Sequence, residues 1–143
     1  MSRSTGPSEA TRKGVLNRDG YLCQRCGRTV GLGANMQHRR ARGAGGRGGE
    51  SGINFPENLI SLCGSGTTGC HGIITHHPEM ARRCGWEVSV NATQYGPESV
   101  PVLGRDGIGR EQWYWLEGFD RIEVSEATAV MRLVSLGIRK DAA

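Results

Sequence analysis

Five cysteines and four histidines are the residues of this chain most able to do chemistry, and they are not scattered evenly. Cys23 and Cys26 form a C-x2-C pair. Cys63 and Cys70 form a wider C-x6-C pair, and both pairs lie on glycine-containing turns (Cys26-Gly27 and Cys63-Gly64-Ser65-Gly66). Two thiolate pairs supply the four sulfur ligands of a tetrahedral zinc site of the closed, structural kind. The odd cysteine count and the absence of a secretory leader argue against a disulfide framework. Cys84 is left over and reads as a small buried hydrophobe. His71, His76 and His77 fall just beyond the second pair, and His38 lies between the two pairs.

Short elements must position these groups. Ser8 caps an expected helix over 9–18 that carries Val15 and Leu16 inward and is broken by Asp19-Gly20. Tyr21 to Arg28 reads as a knuckle holding the first cysteine pair. Strands are expected over 35–40 and 58–62, the second buried. Thr67 or Thr68 precedes a helix over about 69–76. Pro78 opens another helix that stops at Gly85. Trp86, Val88 and Val90 alternate as in a strand, Gln112 to Leu116 is an aromatic strand, and Ser125 caps a last helix over 126–136.

The chain has 143 residues, 36% of them hydrophobic, with 23 glycines and a formal charge of +4. That suits one small, loop-rich α+β domain that needs a staple beyond its core. No apolar run reaches the roughly 18 residues of a membrane span. No apolar segment of a secretory leader is present near the start. The expectation is a cytoplasmic protein with no membrane partner.

Closing the zinc site draws the strand with Gln37 and His38 against the strand with Asn58, and fixes the helix that begins at Cys70-His71. His, Asn and His then face one cleft, with zinc as brace and not as reactive centre. The run Cys23-x2-Cys26, His38, Asn58-Leu59, Cys63-x6-Cys70-His71 resembles the HNH endonucleases, the ββα-metal nucleases. Gln-His-Arg-Arg-Ala-Arg-Gly-Ala-Gly-Gly at 37–46 and Leu-Cys-Gly-Ser-Gly-Thr-Thr-Gly-Cys-His-Gly at 62–72 are similar to HNH proteins of actinobacteria and their phages. The resemblance covers about residues 11–90.

The resemblance implies a small zinc-braced ββα-metal fold. His38 would be the general base that deprotonates the attacking water, a task suited to an imidazole largely neutral at cellular pH. Asn58 would hydrogen-bond across the loop and hold the first motif. His71 would bind a divalent cation such as Mg2+, Mn2+ or Ni2+, which neutralises charge on the phosphate and the leaving 3′ oxygen. Two positions depart from the family pattern. Gln37 stands where Asp or His is usual, so its amide oxygen would be a weaker ligand. Thr75 stands where a second histidine is frequent, so His76 enters the ligand set only if the break at Pro78 distorts the last turn.

Double-stranded DNA is the expected partner. Arg39, Arg40, Arg42 and Arg47 follow the base in a glycine-rich stretch with no acid until Glu50, a pattern suited to gripping phosphates. The expected organisation is a disordered segment over 1–7, a nuclease core over 8–90, and C-terminal strands and a helix over 91–143 packing on that core. The phage likeness extends the expectation to terminase subunits during DNA packaging in the host-cell cytoplasm. Symmetric cutting of both strands would favour a homodimer. The alternative is a non-catalytic zinc module that binds nucleic acid through its Arg/Gly loop.

Overall fold

In the computed structural model, residues 6–41 and 52–140 are described. Ser8 starts the first helix by local chemistry. Its Oγ accepts the Thr11 amide at 3.1 Å, satisfying one of the donors left open at a helix start, and α1 runs Glu9–Arg18. Val15 and Leu16 are fully buried on its inner side. Burial of each contributes about 1.5–3 kcal/mol. Arg18 and Asp19 at its end form a buried ion pair at 2.9 Å. Asp19 Oδ2 accepts the Ser61 amide at 2.9 Å, and Arg18 donates to the Leu59 carbonyl at 2.5 Å. These bonds offset the lost hydration of two charges and fasten α1 to the strand that holds Leu59.

That strand, β2 (Leu59–Leu62), pairs antiparallel with β1 (Asn35–His38), placing Gln37 opposite Ile60 and His38 opposite Leu59. All four β2 residues are buried, so the strand reads as a continuous apolar run broken only by Ser61. After a turn comes α2 (Gly69–His76), then α3 (Pro78–Arg83) with proline at its first position. His77 between them has φ −133° and ψ 65°, outside the helical region, as a residue before proline requires. Gly85 then takes φ +74°, and a Cβ there would collide with the Pro101 carbonyl.

The remaining strands, β3 (Val102–Arg105), β4 (Glu111–Glu117) and β5 (Asp120–Val124), form an antiparallel sheet in the order β3-β4-β5. Both faces of β4 are covered. Tyr114 and Leu116 join a core with Val15, Leu59 and Trp86, whereas Trp113 joins a second cluster with Val88, Val100, Ala129 and Leu133. The helix that closes this second cluster, α4 (Glu126–Ser135), is capped by Ser125 Oγ, which accepts the Thr128 amide at 3.1 Å. Among the described residues the fold is therefore mixed α+β with two small sheets. Among the described residues no helix is long and apolar enough to cross a membrane.

Three expectations need correction. Residues 86–90 form no strand. Val88 donates to the Arg39 carbonyl at 2.7 Å, but Val90 is exposed and no ladder continues. β5 was not expected, because Ile122 is exposed and its burial does not alternate. It forms because Gly118, at φ +59°, opens a two-residue hairpin that pairs Glu117 with Asp120. β1 ends at His38 rather than at residue 40, and Asn58 closes a 3-10 turn (Pro56–Asn58) just before β2. Residues 1–5 of the expected disordered segment, and residues 42–51 of the expected Arg/Gly loop, lie outside the described residues.

Candidate functional site

The sulfur atoms of Cys23, Cys26, Cys63 and Cys70 all lie within 4.8 Å of one another. Cys26 and Cys63 are 3.8 Å apart. Zn–S bonds of about 2.3 Å in a tetrahedron give sulfur–sulfur edges of about 3.8 Å, so the four sulfurs are grouped closely enough to hold a metal such as zinc. Two features of the chain bring them together. Gly27 donates to the Cys23 carbonyl at 2.8 Å, folding the first pair into a tight turn. In the second pair Gly64 (φ +89°) and Gly69 (φ +61°) touch backbone to backbone, an approach that a Cβ on either would block.

Electrostatics within the cluster favour an ion. Burial pushes the Cys70 thiol up to about 12, against the pull of Arg25. Burial opposes ionisation of Cys26 too, yet the Arg28 backbone N–H and the Cys23 thiol bring it down to about 7. A bound cation resolves this conflict by displacing the remaining protons. Arg25 stands beside the cluster, donating to Cys70 Sγ at 3.6 Å and lying over the Trp86 ring at 5.9 Å. It offsets part of the negative charge that four thiolates carry. Burial also raises the thiol of Cys84, which packs against the first core and stands apart from the cluster.

The cysteine knuckle sets the position of His71. The Cys63 carbonyl accepts the His71 amide at 3.0 Å, so the helix start is tied to the sulfur cluster. His71 Nδ1 is buried and has no hydrogen-bond partner. It lines a cavity of about 290 Å³ together with Gln37, His38, Thr75 and Glu87. Both histidines therefore reach one pocket. His38 Nε2 lies 2.7 Å from Asn54 Oδ1. With the amide oxygen as acceptor, Nε2 carries the proton and Nδ1 keeps its lone pair. Gln37 is buried, and its amide donates to the Trp86 carbonyl at 3.4 Å. An orphaned imidazole nitrogen, an amide and a carboxylate form a donor set suited to a divalent cation.

Asn58 is fully buried and holds the segment that follows His38. Its Oδ1 accepts the Arg40 amide at 2.7 Å, and its Nδ2 donates to the carbonyls of Arg40 at 3.0 Å and Ile53 at 2.9 Å. One side chain thus clamps the residues after His38 to those before Asn54.

Other expected site residues lie elsewhere. Arg39 is fully buried, so it does not grip phosphate. Its guanidinium donates to the carbonyls of Gly85 (2.7 Å), Glu57 (2.9 Å), Pro97 (3.0 Å) and Val100 (2.6 Å). Burial, with help from Arg18, lowers its pKa to about 9, which leaves it charged at neutral pH. Arg40 is likewise turned to backbone, donating to Ala92 at 2.7 Å and Tyr95 at 2.6 Å. Arg42 and Arg47 lie outside the described residues. His76 does not join the cavity of His71. It lines a separate one with His77, Pro78 and Met80, because α2 stays regular and position 76 is about 140° around the helix from 71.

Two residues that sequence reasoning missed border the site. Asn54 is a buried polar residue in the otherwise apolar Ile53-Asn54-Phe55. Glu87 sits between the buried Trp86 and Val88, so alternation alone turned it toward solvent. Burial raises its pKa while Arg82 opposes the shift. No family model matches the chain, and no curated protein or solved structure matches it.

Proposed function

We propose that the chain is a metal-dependent DNA endonuclease of the HNH, ββα-metal kind. The observation that supports this reading most is one cavity lined by His38 and His71, with Asn58 clamping the segment beside it. In this reading His38 Nδ1 takes a proton from water while Asn54 holds Nε2–H. The water oxygen bonds to phosphorus, the bond to the 3′ oxygen breaks, and that oxygen takes a proton from solvent, leaving a 3′-hydroxyl and a 5′-phosphate end. Gln37 and His71 would hold a divalent cation, which would supply charge neutralisation at the phosphate and the leaving oxygen. Asn58 is a positioning residue. The four-cysteine zinc braces β2 and α2 and takes no part in the chemistry.

Duplex DNA is the substrate class. The burial of Arg39 and the backbone bonds of Arg40 remove two of the expected phosphate contacts. Nicking of supercoiled plasmid with Mg2+, Mn2+ or Ni2+, read beside DNA binding, tests the reading. His38→Ala is expected to bind as the unaltered chain does and to lose cutting. A chain that binds DNA but never cuts with any of these ions is a non-catalytic zinc module instead. The likeness to phage proteins in the cysteine and histidine motifs supports a role beside a terminase in the host cytoplasm. Co-purification with the large terminase subunit is the expected result, and no association removes that part of the reading.

A further inference from the structure

Glu87 lines the cavity that Gln37 and His38 of β1 also border. Its two neighbours are stitched to the residues on either side of that histidine. The Trp86 carbonyl accepts from Gln37 at 3.4 Å, and the Val88 amide donates to the Arg39 carbonyl at 2.7 Å. The backbone at Glu87 is thereby held beside β1 although residues 86–90 form no strand. Glu87 lines the same 290 Å³ cavity as His71.

Its bonding is incomplete. Glu87 Oε2 is shielded from solvent and has no hydrogen-bond partner. Arg82 Nε lies 3.4 Å away, close enough for ionic attraction but without hydrogen-bond geometry. The same cavity holds the orphaned Nδ1 of His71. A buried carboxylate oxygen and a buried imidazole nitrogen, both without a hydrogen bond, are costly to leave so. Both residues line one cavity, where a divalent cation could take a ligand from each. Gln37 brings only a neutral oxygen, and hard cations favour a carboxylate in their shell.

We propose that Glu87 is the anionic ligand of the cavity's divalent cation, together with His71. The inference rests on the hydrolytic reading of this cavity and supplies the acidic group that Gln37 does not. Arg82 then orients the carboxylate from behind, as partners of metal-binding carboxylates do.

The test is Mn2+ binding to the zinc-loaded full chain, followed by the electron paramagnetic resonance of free Mn2+. Glu87→Gln is expected to weaken binding by about tenfold or more, with zinc content and melting temperature retained. Glu79→Gln, an exposed acid on α3 outside this cavity, should leave binding unchanged. Equal affinity in Glu87→Gln, or no Mn2+ binding by the unaltered chain, overturns the proposal. Plasmid nicking separates the two ideas. Mn2+ binding that depends on Glu87 in a chain that never nicks keeps the ligand and removes the nuclease. Equal nicking by both forms at every Mn2+ concentration keeps the nuclease and removes the ligand.

Discussion

His38 Nε2 and Asn54 Oδ1 meet at 2.7 Å, and in the proposed reaction this contact selects Nδ1 as the base. An acceptor at Nε2 keeps the proton there, so Nδ1 is the basic atom. Asn54→Ala should lower the nicking rate by roughly 10- to 100-fold, in the range that loss of a positioning group or of general-base assistance produces. Mn2+ affinity should be retained. Asn54→Asp should move the acid limb of the pH–rate profile to higher pH, because a carboxylate beside imidazole favours its protonated, non-basic form. An unchanged profile in Asn54→Asp would place the working nitrogen elsewhere.

Asn58 is the clamp of the site, and its two polar atoms are not equivalent. Asn58→Ala strands the Arg40 amide and two carbonyls, which should cost about 2–3 kcal/mol of stability. Asn58→Asp keeps the acceptor for the Arg40 amide but sets a buried negative charge against the carbonyls of Arg40 and Ile53. It should therefore unfold at lower denaturant than Asn58→Ala. Chemical denaturation of the three proteins checks the order.

Much of this molecule is legible from residue types. Ser8 and Ser125 announce two helices because a hydroxyl satisfies an amide that the helix leaves open. The cysteine spacing announces the metal cluster because turn glycines allow the pairs to close. Arg39 is not legible in this way. A sequence shows its charge but not the four carbonyls, contributed by residues 57, 85, 97 and 100, that converge on it only in the fold. β5 and Glu87 escape for a related reason. Their placement comes from pairing partners and a cavity wall, which leave no periodic trace along the chain.

Arg39 should accordingly behave as a core residue. Arg39→Ala leaves buried carbonyls without a donor, at a cost on the order of 3 kcal/mol or more. Thermal melting should show the loss. A phosphate contact would instead lower the salt dependence of DNA binding by about one unit of slope without destabilising the fold. Measuring both separates the roles.

Zinc removal should act on the fold before it acts on activity. Structural zinc contributes on the order of 10–16 kcal/mol of apparent binding energy. A chelator should abolish cooperative unfolding, and elemental analysis should find one zinc per chain. Cys26→Ser should reproduce the effect at the exposed corner of the cluster. Cys84→Ser should keep the zinc, since Cys84 stands outside the cluster.

In the proposed reaction one cavity gathers a base, a cation and a phosphodiester. Anomalous diffraction at the manganese edge, from crystals of the chain with Mn2+ and a short DNA duplex, addresses it most directly. A manganese peak bonded to His71 within the cavity is expected, with a phosphate between it and His38. A peak at His76 and His77 instead, with DNA held on another face, would contradict it.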